Sequence, residues 1–137
     1  MEKPRATAIW NGTGKTGKGT LTTLSGALSK KTYSFRSRTE DTTDTNPEEL
    51  LAAAHAGCFT MKLAFLLDEA GFKDIDLETN CEITFVGGEI RASDLIVTAN
   101  IPGISKQKFD NLVKLAETEC PVSKLFKAKI SAAGILK

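Results

Sequence analysis

Cys58 and Cys120 are the residues best placed to do chemistry. Cys58 closes the run Asn46-Pro47-Glu48-Glu49-Leu50-Leu51-Ala52-Ala53-Ala54-His55-Ala56-Gly57-Cys58, and Cys120 opens Cys120-Pro121-Val122-Ser123-Lys124. The first thiol lies in an apolar helical context. The second stands directly before a proline, where a new helical turn can begin. Together they point to thiol redox chemistry. A thiol acts as a nucleophile only as thiolate, and burial among alanines and leucines raises its pKa, so a fixed cation must stand nearby. Arginine supplies a cation that never deprotonates, and a neighbouring carboxylate would hold its guanidinium in place. Oxidation of such a thiol gives a sulfenic acid, which a second thiol converts to a disulfide before further oxidation destroys the site. Cys120, at a helix N-terminus whose dipole favours a thiolate, fits that duty.

Other readings of the same residues stay open at this point. His55 lies one turn before Cys58, which admits a Cys-His nucleophile pair for acyl transfer or a metal site completed by Cys120. Against the metal stand the single histidine and the lack of a short-spaced cysteine pair; against acyl transfer stands the lack of an orienting third residue. His55 is expected as a packed helix residue, and Cys81, within an apolar alternation, as a core side chain. A third reading is a small hydrophobic ligand-binding protein without catalysis, its ligand held between apolar helices.

Composition bounds these choices. The 137 residues fit one domain spanning 1–137, large enough to bury most apolar side chains. Eighteen basic and 17 acidic residues leave a net charge of +1, so no global field draws the chain to nucleic acid or anionic lipid. Small molecules and protein partners are the expected ligands. The N-terminus lacks a signal-peptide pattern and no apolar run is read as membrane-spanning, so the expected compartment is the cytoplasm. Three cysteines in a reducing compartment argue against a structural disulfide framework.

The elements that must position these residues begin with extended segments at Ala6–Trp10, Thr20–Leu24 and Tyr33–Arg38, separated by glycine and lysine turns. Gly12-Thr13-Gly14-Lys15-Thr16-Gly17-Lys18-Gly19 nearly spells a phosphate-binding loop, but Gly19 stands where Ser or Thr must hold magnesium. The following Thr20-Leu21-Thr22-Thr23-Leu24 is β-prone, so a hairpin turn is expected there. Asn46, Pro47 and Glu49 form a helix start with a capping side chain, a proline at the first position and a capping-box glutamate. That helix is expected to run to about Ala70, with Lys62 its only charge between Leu50 and Leu67, apolar on nearly every face and ended by Gly71. Leu77 to Phe85 alternates as a half-buried strand, Gly87-Gly88 turns the chain, and a second strand runs from Ile90 to Ile101. An amphipathic helix from Ser105 to Glu119 and a strand from Ala128 to Leu136 complete an α+β pattern of antiparallel sheets around helices. A helix apolar on all sides favours an obligate dimer that pairs the central helices of two chains.

The run from Thr45 through Phe59, followed by Cys120-Pro121-Val122-Ser123-Lys124, resembles the OsmC/Ohr family of thiol-dependent hydroperoxide reductases, and is most similar to its OsmC branch. Tyr33-Ser34-Phe35-Arg36-Ser37-Arg38 and the element order match as well. The resemblance implies an intertwined homodimer in which two sheets enclose paired central helices. It implies Cys58 as the peroxidatic cysteine, Cys120 as the resolving cysteine, Arg38 as the activating arginine with Arg36 its neighbour, and Glu48 as the carboxylate partner. It implies no metal, haem or flavin, an organic hydroperoxide substrate, and reduction of the disulfide by an external dithiol of lipoyl type. If Glu48 and Cys58 share one straight helix, ten residues set them roughly 15 Å apart along it and on different faces. A composite site is therefore expected, with Glu48 and Arg38 of one subunit beside Cys58 of the other.

Overall fold

The computed structural model describes residues 1–40 and 43–137. In chain order its elements are β1 (Ala6–Asn11), β2 (Lys18–Thr23), β3 (Lys31–Tyr33), α1 (Phe35–Thr39), α2 (Pro47–Glu69), β4 (Asp76–Val86), β5 (Glu89–Asn100), α3 (Lys106–Glu119), α4 (Pro121–Leu125) and β6 (Lys129–Leu136). The architecture is α+β, with two three-stranded sheets and helices. The chain forms two compact units, Met1–Leu50 and Leu51–Lys137.

In the first unit β1, β2 and β3 form the expected antiparallel meander. Gly19 pairs with Trp10 on one side and Tyr33 on the other. The two rings approach with centroids 5.4 Å apart. A Cβ at Gly19 would lie 2.6 Å from Trp10 Cε3 and 2.7 Å from Tyr33 Cε1, so only glycine fits beneath them. The residue that breaks the phosphate-loop pattern is thus a packing requirement of a strand. The preceding turn is closed by Gly17 N–H donating to Thr13 O at 2.7 Å, as a hairpin requires.

The segment Tyr33–Arg38 is not extended throughout. The strand stops at Tyr33 and α1 begins two residues later. Ser34 Oγ accepts from Ser37 N–H at 3.2 Å while Ser37 Oγ accepts from Ser34 N–H at 2.9 Å, a reciprocal capping box that starts a helical turn. Arg36 and Arg38 therefore sit on a helix, where Arg36 meets Glu40 at 2.6 Å in an exposed i,i+4 pair.

Helix α2 begins as its sequence predicts, with Asn46 Oδ1 accepting from Glu49 N–H at 2.8 Å. The Glu49 carboxylate accepts from the Thr45 hydroxyl at 2.9 Å. At the other end Gly71, at φ +98°, donates to Asp68 O, and Phe72 N–H reaches Leu67 O; both bonds are 3.0 Å and form a Schellman ending. The chain by itself covers one side of this helix, burying His55, Phe59, Leu63, Leu66 and Leu67. The i,i+4 row Ala53, Gly57, Met61 and Phe65 is exposed, with Met61 at 63% and Phe65 at 60%. One expectation is corrected here: α2, at 23 residues, is long and apolar enough to cross a bilayer by length and composition. Five of its side chains instead fill a core of protein.

In the second unit β4 and β5 form the expected hairpin, with an irregularity between Thr84 and Phe85. The final strand differs from the antiparallel expectation: β6 pairs with β5 in parallel, from Ala92 opposite Lys129 to Ala99 opposite Leu136. Alternation of apolar residues carries no information on strand direction. The intervening α3 and α4 supply the long crossover that parallel pairing needs. Phe59, Leu63 and Leu67 of α2, Leu95 and Val97 of β5, and Phe109 and Val113 of α3 make the core of this unit. Cys120 is part of it.

Candidate active site

Cys120 occupies a corner between two helices. Its N–H donates to Ala116 O at 3.0 Å as the end of α3, and its carbonyl accepts from Lys124 N–H at 3.1 Å as the start of α4. Pro121 explains the break, since it has no N–H to continue α3 and its fixed φ suits the first position of a new helix. The corner drives the Cys120 side chain into the core, fully buried.

There it meets Cys58, half-buried on α2. The Cys120 side chain and the backbone N–H of Val122 both lie near enough to act on the Cys58 thiol. Both are free thiols. Burial pushes the Cys58 thiol up, the hydrogen bond to Cys120 and the charge of a Cys120 thiolate push it further, and Val122 N–H pulls it partly back. The thiol is thus held in its protonated form until something stabilises the anion. The structure brings Cys58 and Cys120 together at the edge of the core.

Contacts between α2 and the α3–α4 corner flank this pair on both sides. One turn before Cys58, His55 is fully buried, its Nε2 2.7 Å from Ser123 Oγ on α4 and its Nδ1 2.5 Å from Ser93 Oγ on β5. Phe126 packs edge-on against the imidazole, centroids 5.0 Å apart. Ser93 Oγ lies 3.3 Å from Cys81 Sγ, so Cys81 ends a chain of polar contacts at the rim of the core. Burial raises the Cys81 thiol above its ordinary range, Ser93 lowers it in part and Asp94 adds to the rise. One turn after Cys58, Lys62 Nζ meets Glu119 Oε2 at 3.3 Å, next to Cys120 in sequence.

Both ring nitrogens of His55 are engaged by serine hydroxyls, which leaves no lone pair for Cys58 or for a metal. Among the described residues no three His, Cys, Asp or Glu side chains are grouped to hold an ion. His55 is the packed residue expected, but its partners Ser93 and Ser123 were not foreseen. A signal existed for Ser93, which sits in the inward row of β5 with Leu95, Val97 and Ala99, where a lone hydroxyl requires a partner.

Burial lowers the pKa of His55, and this makes a testable prediction because the chain has no other histidine. The unfolded chain binds a proton near pH 6.5 that the folded chain refuses. Stability therefore rises with pH in the window below that value, and is lost as pH falls through it. Urea melts at pH 7 and pH 5.5 should show this loss in the native chain. His55→Gln, less stable at both, should show a smaller difference between them.

The other two expected residues pair in the first unit. Arg38 Nε donates to Glu48 Oε2 at 3.1 Å, with the Glu48 side chain only 14% exposed. Glu48 lies in the first turn of α2, where a carboxylate is favoured by the helix dipole. Arg38 helps to line a cavity of about 390 Å³ with Trp10, Lys15, Tyr33, Phe35 and Pro47. The four expected residues thus form two pairs, one in each unit.

Comparisons with known proteins show which family the chain falls in. Residues 39–133 match the family model described as OsmC-like protein. The chain is 40% identical over 134 residues to peroxiredoxin OsmC of Escherichia coli (strain K12), covering 95% of this chain and 94% of that one. It is 28% identical over 122 residues to organic hydroperoxide resistance protein OhrB of Bacillus subtilis (strain 168), covering 87% of this chain and 89% of OhrB. The crystal structure of Bacillus subtilis OhrB superposes with a TM-score of 0.67 at 24% identity, over 97% of this chain and 98% of that chain, which shows a common fold. The chain belongs to the OsmC-like family.

Proposed function

We propose that the protein is a cysteine-based peroxidase that reduces organic hydroperoxides to alcohols. The observation that carries this reading is the proximity of the Cys58 and Cys120 thiols, brought together at the core by α2 and the α3–α4 corner. The names of its relatives, a peroxiredoxin and an organic hydroperoxide resistance protein, support it. Cys58 thiolate takes the terminal oxygen of the peroxide, releasing alcohol once the leaving oxygen gains a proton, and becomes a sulfenic acid. The Cys120 sulfur then attacks the Cys58 sulfur, forming the disulfide and expelling water. An external dithiol of lipoyl type restores both thiols and is itself oxidised to a disulfide. The cycle uses no metal, haem or flavin, and it suits a reducing compartment such as the cytoplasm.

Arg38, oriented by Glu48, supplies the cation that the raised Cys58 thiol needs, and the aromatic cavity beside it favours bulky apolar peroxides over hydrogen peroxide. The working unit is a homodimer. The exposed apolar row of α2 supports that assembly, since a second copy would cover Met61 and Phe65. In it Arg38 and Glu48 of one subunit serve Cys58 of the other.

The test is the intact mass of the fully reduced protein before and after one equivalent of an organic hydroperoxide, with peptide mapping. Loss of two hydrogens with a Cys58–Cys120 crosslink is expected. An unchanged mass, or modification at Cys81 alone, counts against the reading.

A further inference from the structure

The Cys58–Cys120 contact lies between two ties that join the same pair of elements. Along α2, His55, Cys58 and Lys62 are spaced by three and four residues and so share one face. They meet, in reverse order along the chain, Ser123, Cys120 and Glu119 of the α3–α4 corner. The tie at His55 is buried and short, at 2.7 Å, while that at Lys62 is an ion pair at 3.3 Å with both side chains part-exposed.

We propose that His55 and Lys62 are positioning residues for disulfide closure, clamping the corner that carries Cys120 against α2 on either side of Cys58. This rests on the peroxidase reading above. The corner needs such a clamp. Helix α4 is a single short helix of five residues with no side-chain cap at its start, too short to hold its own geometry. What fixes it is its docking, and the imidazole is anchored in turn by Ser93 of β5 and by the edge of Phe126. A neutral imidazole carries one donor and one acceptor, which two hydroxyls satisfy together, so the ring is held without a buried charge. The clamp acts on the second step of the cycle. Attack of the Cys120 sulfur on the sulfenic acid requires both sulfurs to be aligned, whereas the first attack forms no bond to Cys120.

The two steps can be separated in one experiment. Reduced protein is mixed with one equivalent of cumene hydroperoxide and quenched at intervals. Sulfenic acid at Cys58 and the Cys58–Cys120 bond are then followed by mass. Ser123→Ala removes the buried tie with the smallest change of shape. It should slow closure about ten- to a hundredfold, the scale on which loss of alignment acts, and leave first oxidation within about twofold. The sulfenic acid at Cys58 should persist, and a second equivalent of the peroxide should carry it on to sulfinic acid. Ser123→Thr keeps the hydroxyl and should restore closure. Val97→Ala, a truncation in the same core, lowers stability without touching either tie, and should leave closure at the wild-type rate. Should Ser123→Ala not fold, Lys62→Met opens the part-exposed tie and should slow closure about two- to fivefold. Closure at the wild-type rate in the tie variants, or equal slowing in Val97→Ala, overturns the clamp alone. A wild-type protein that forms no Cys58–Cys120 bond overturns the peroxidase reading and the clamp together.

Discussion

Replacing Cys58 by serine is expected to remove peroxide reduction, a fall of at least about 10³-fold, the scale on which loss of a covalent nucleophile acts. A hydroxyl has neither the nucleophilicity nor the accessible anion of a thiol, and no other sulfur has the same neighbours. Cys81 Sγ is paired instead with Ser93 Oγ at 3.3 Å. Cys120→Ser should behave differently. Its first oxidation should proceed near the native rate, because Cys58 keeps the Val122 N–H and loses a neighbour that raises its pKa. The cycle should then stop at a sulfenic acid, and excess peroxide should drive it to sulfinic acid. Mass spectra of the two variants after a single addition of cumene hydroperoxide check both outcomes. Equal turnover by Cys120→Ser in the presence of a dithiol would remove Cys120 from the cycle.

Arg38→Ala is expected to slow the first oxidation at neutral pH by about a hundredfold, the scale on which loss of one electrostatic donor at a reacting centre acts. The reason lies in the sign of the shift at Cys58. Burial raises its thiol, so at neutral pH the reactive anion is scarce unless a cation offsets that cost. Without Arg38 the rate of Cys58 alkylation by iodoacetamide should climb only at pH values above those of an ordinary thiol; with Arg38 the climb should come earlier. Arg38→Lys should recover little, because an ammonium cannot reproduce the planar contact with Glu48. If the alkylation profiles of native and Arg38→Ala protein coincide, Arg38 is not the activating cation. Sharing of the site between subunits has its own readout: heterodimers of Cys58→Ser and Arg38→Ala chains should regain activity at one of two sites.

Local chemistry made much of this fold legible. Asn46, Pro47, Glu49 and Gly71 bracket α2, and each makes or permits the backbone contact that its type predicts. The β4–β5 hairpin was equally plain from its alternation and its glycine pair. Helix α1 was not, because Ser37 plays the capping role usually given to Glu or Gln, and the short run looked extended. The direction of β6 was hidden because a period of two reads the same both ways. At the candidate site, residue types identified Cys58 and Cys120, but nothing local places two residues that far apart side by side; only the family resemblance did. His55 was expected to pack, yet its partners lie 38 and 68 positions away, beyond the reach of any local rule.

The parallel pairing of β5 with β6 has a consequence for how the chain is made. On the ribosome β4 and β5 can zip as soon as they emerge, but one side of β5 has no partner until Leu136, opposite Ala99, has been synthesised. Meanwhile Leu95, Val97 and Ala99 face a core that lacks Phe109 and Val113. The nascent protein therefore passes through an interval with an open strand edge and an uncovered apolar face, a form prone to pair with its neighbours. Deleting β6 alone would leave that edge of β5 open for good, so the loss of its eight residues should cost far more soluble protein than their number implies.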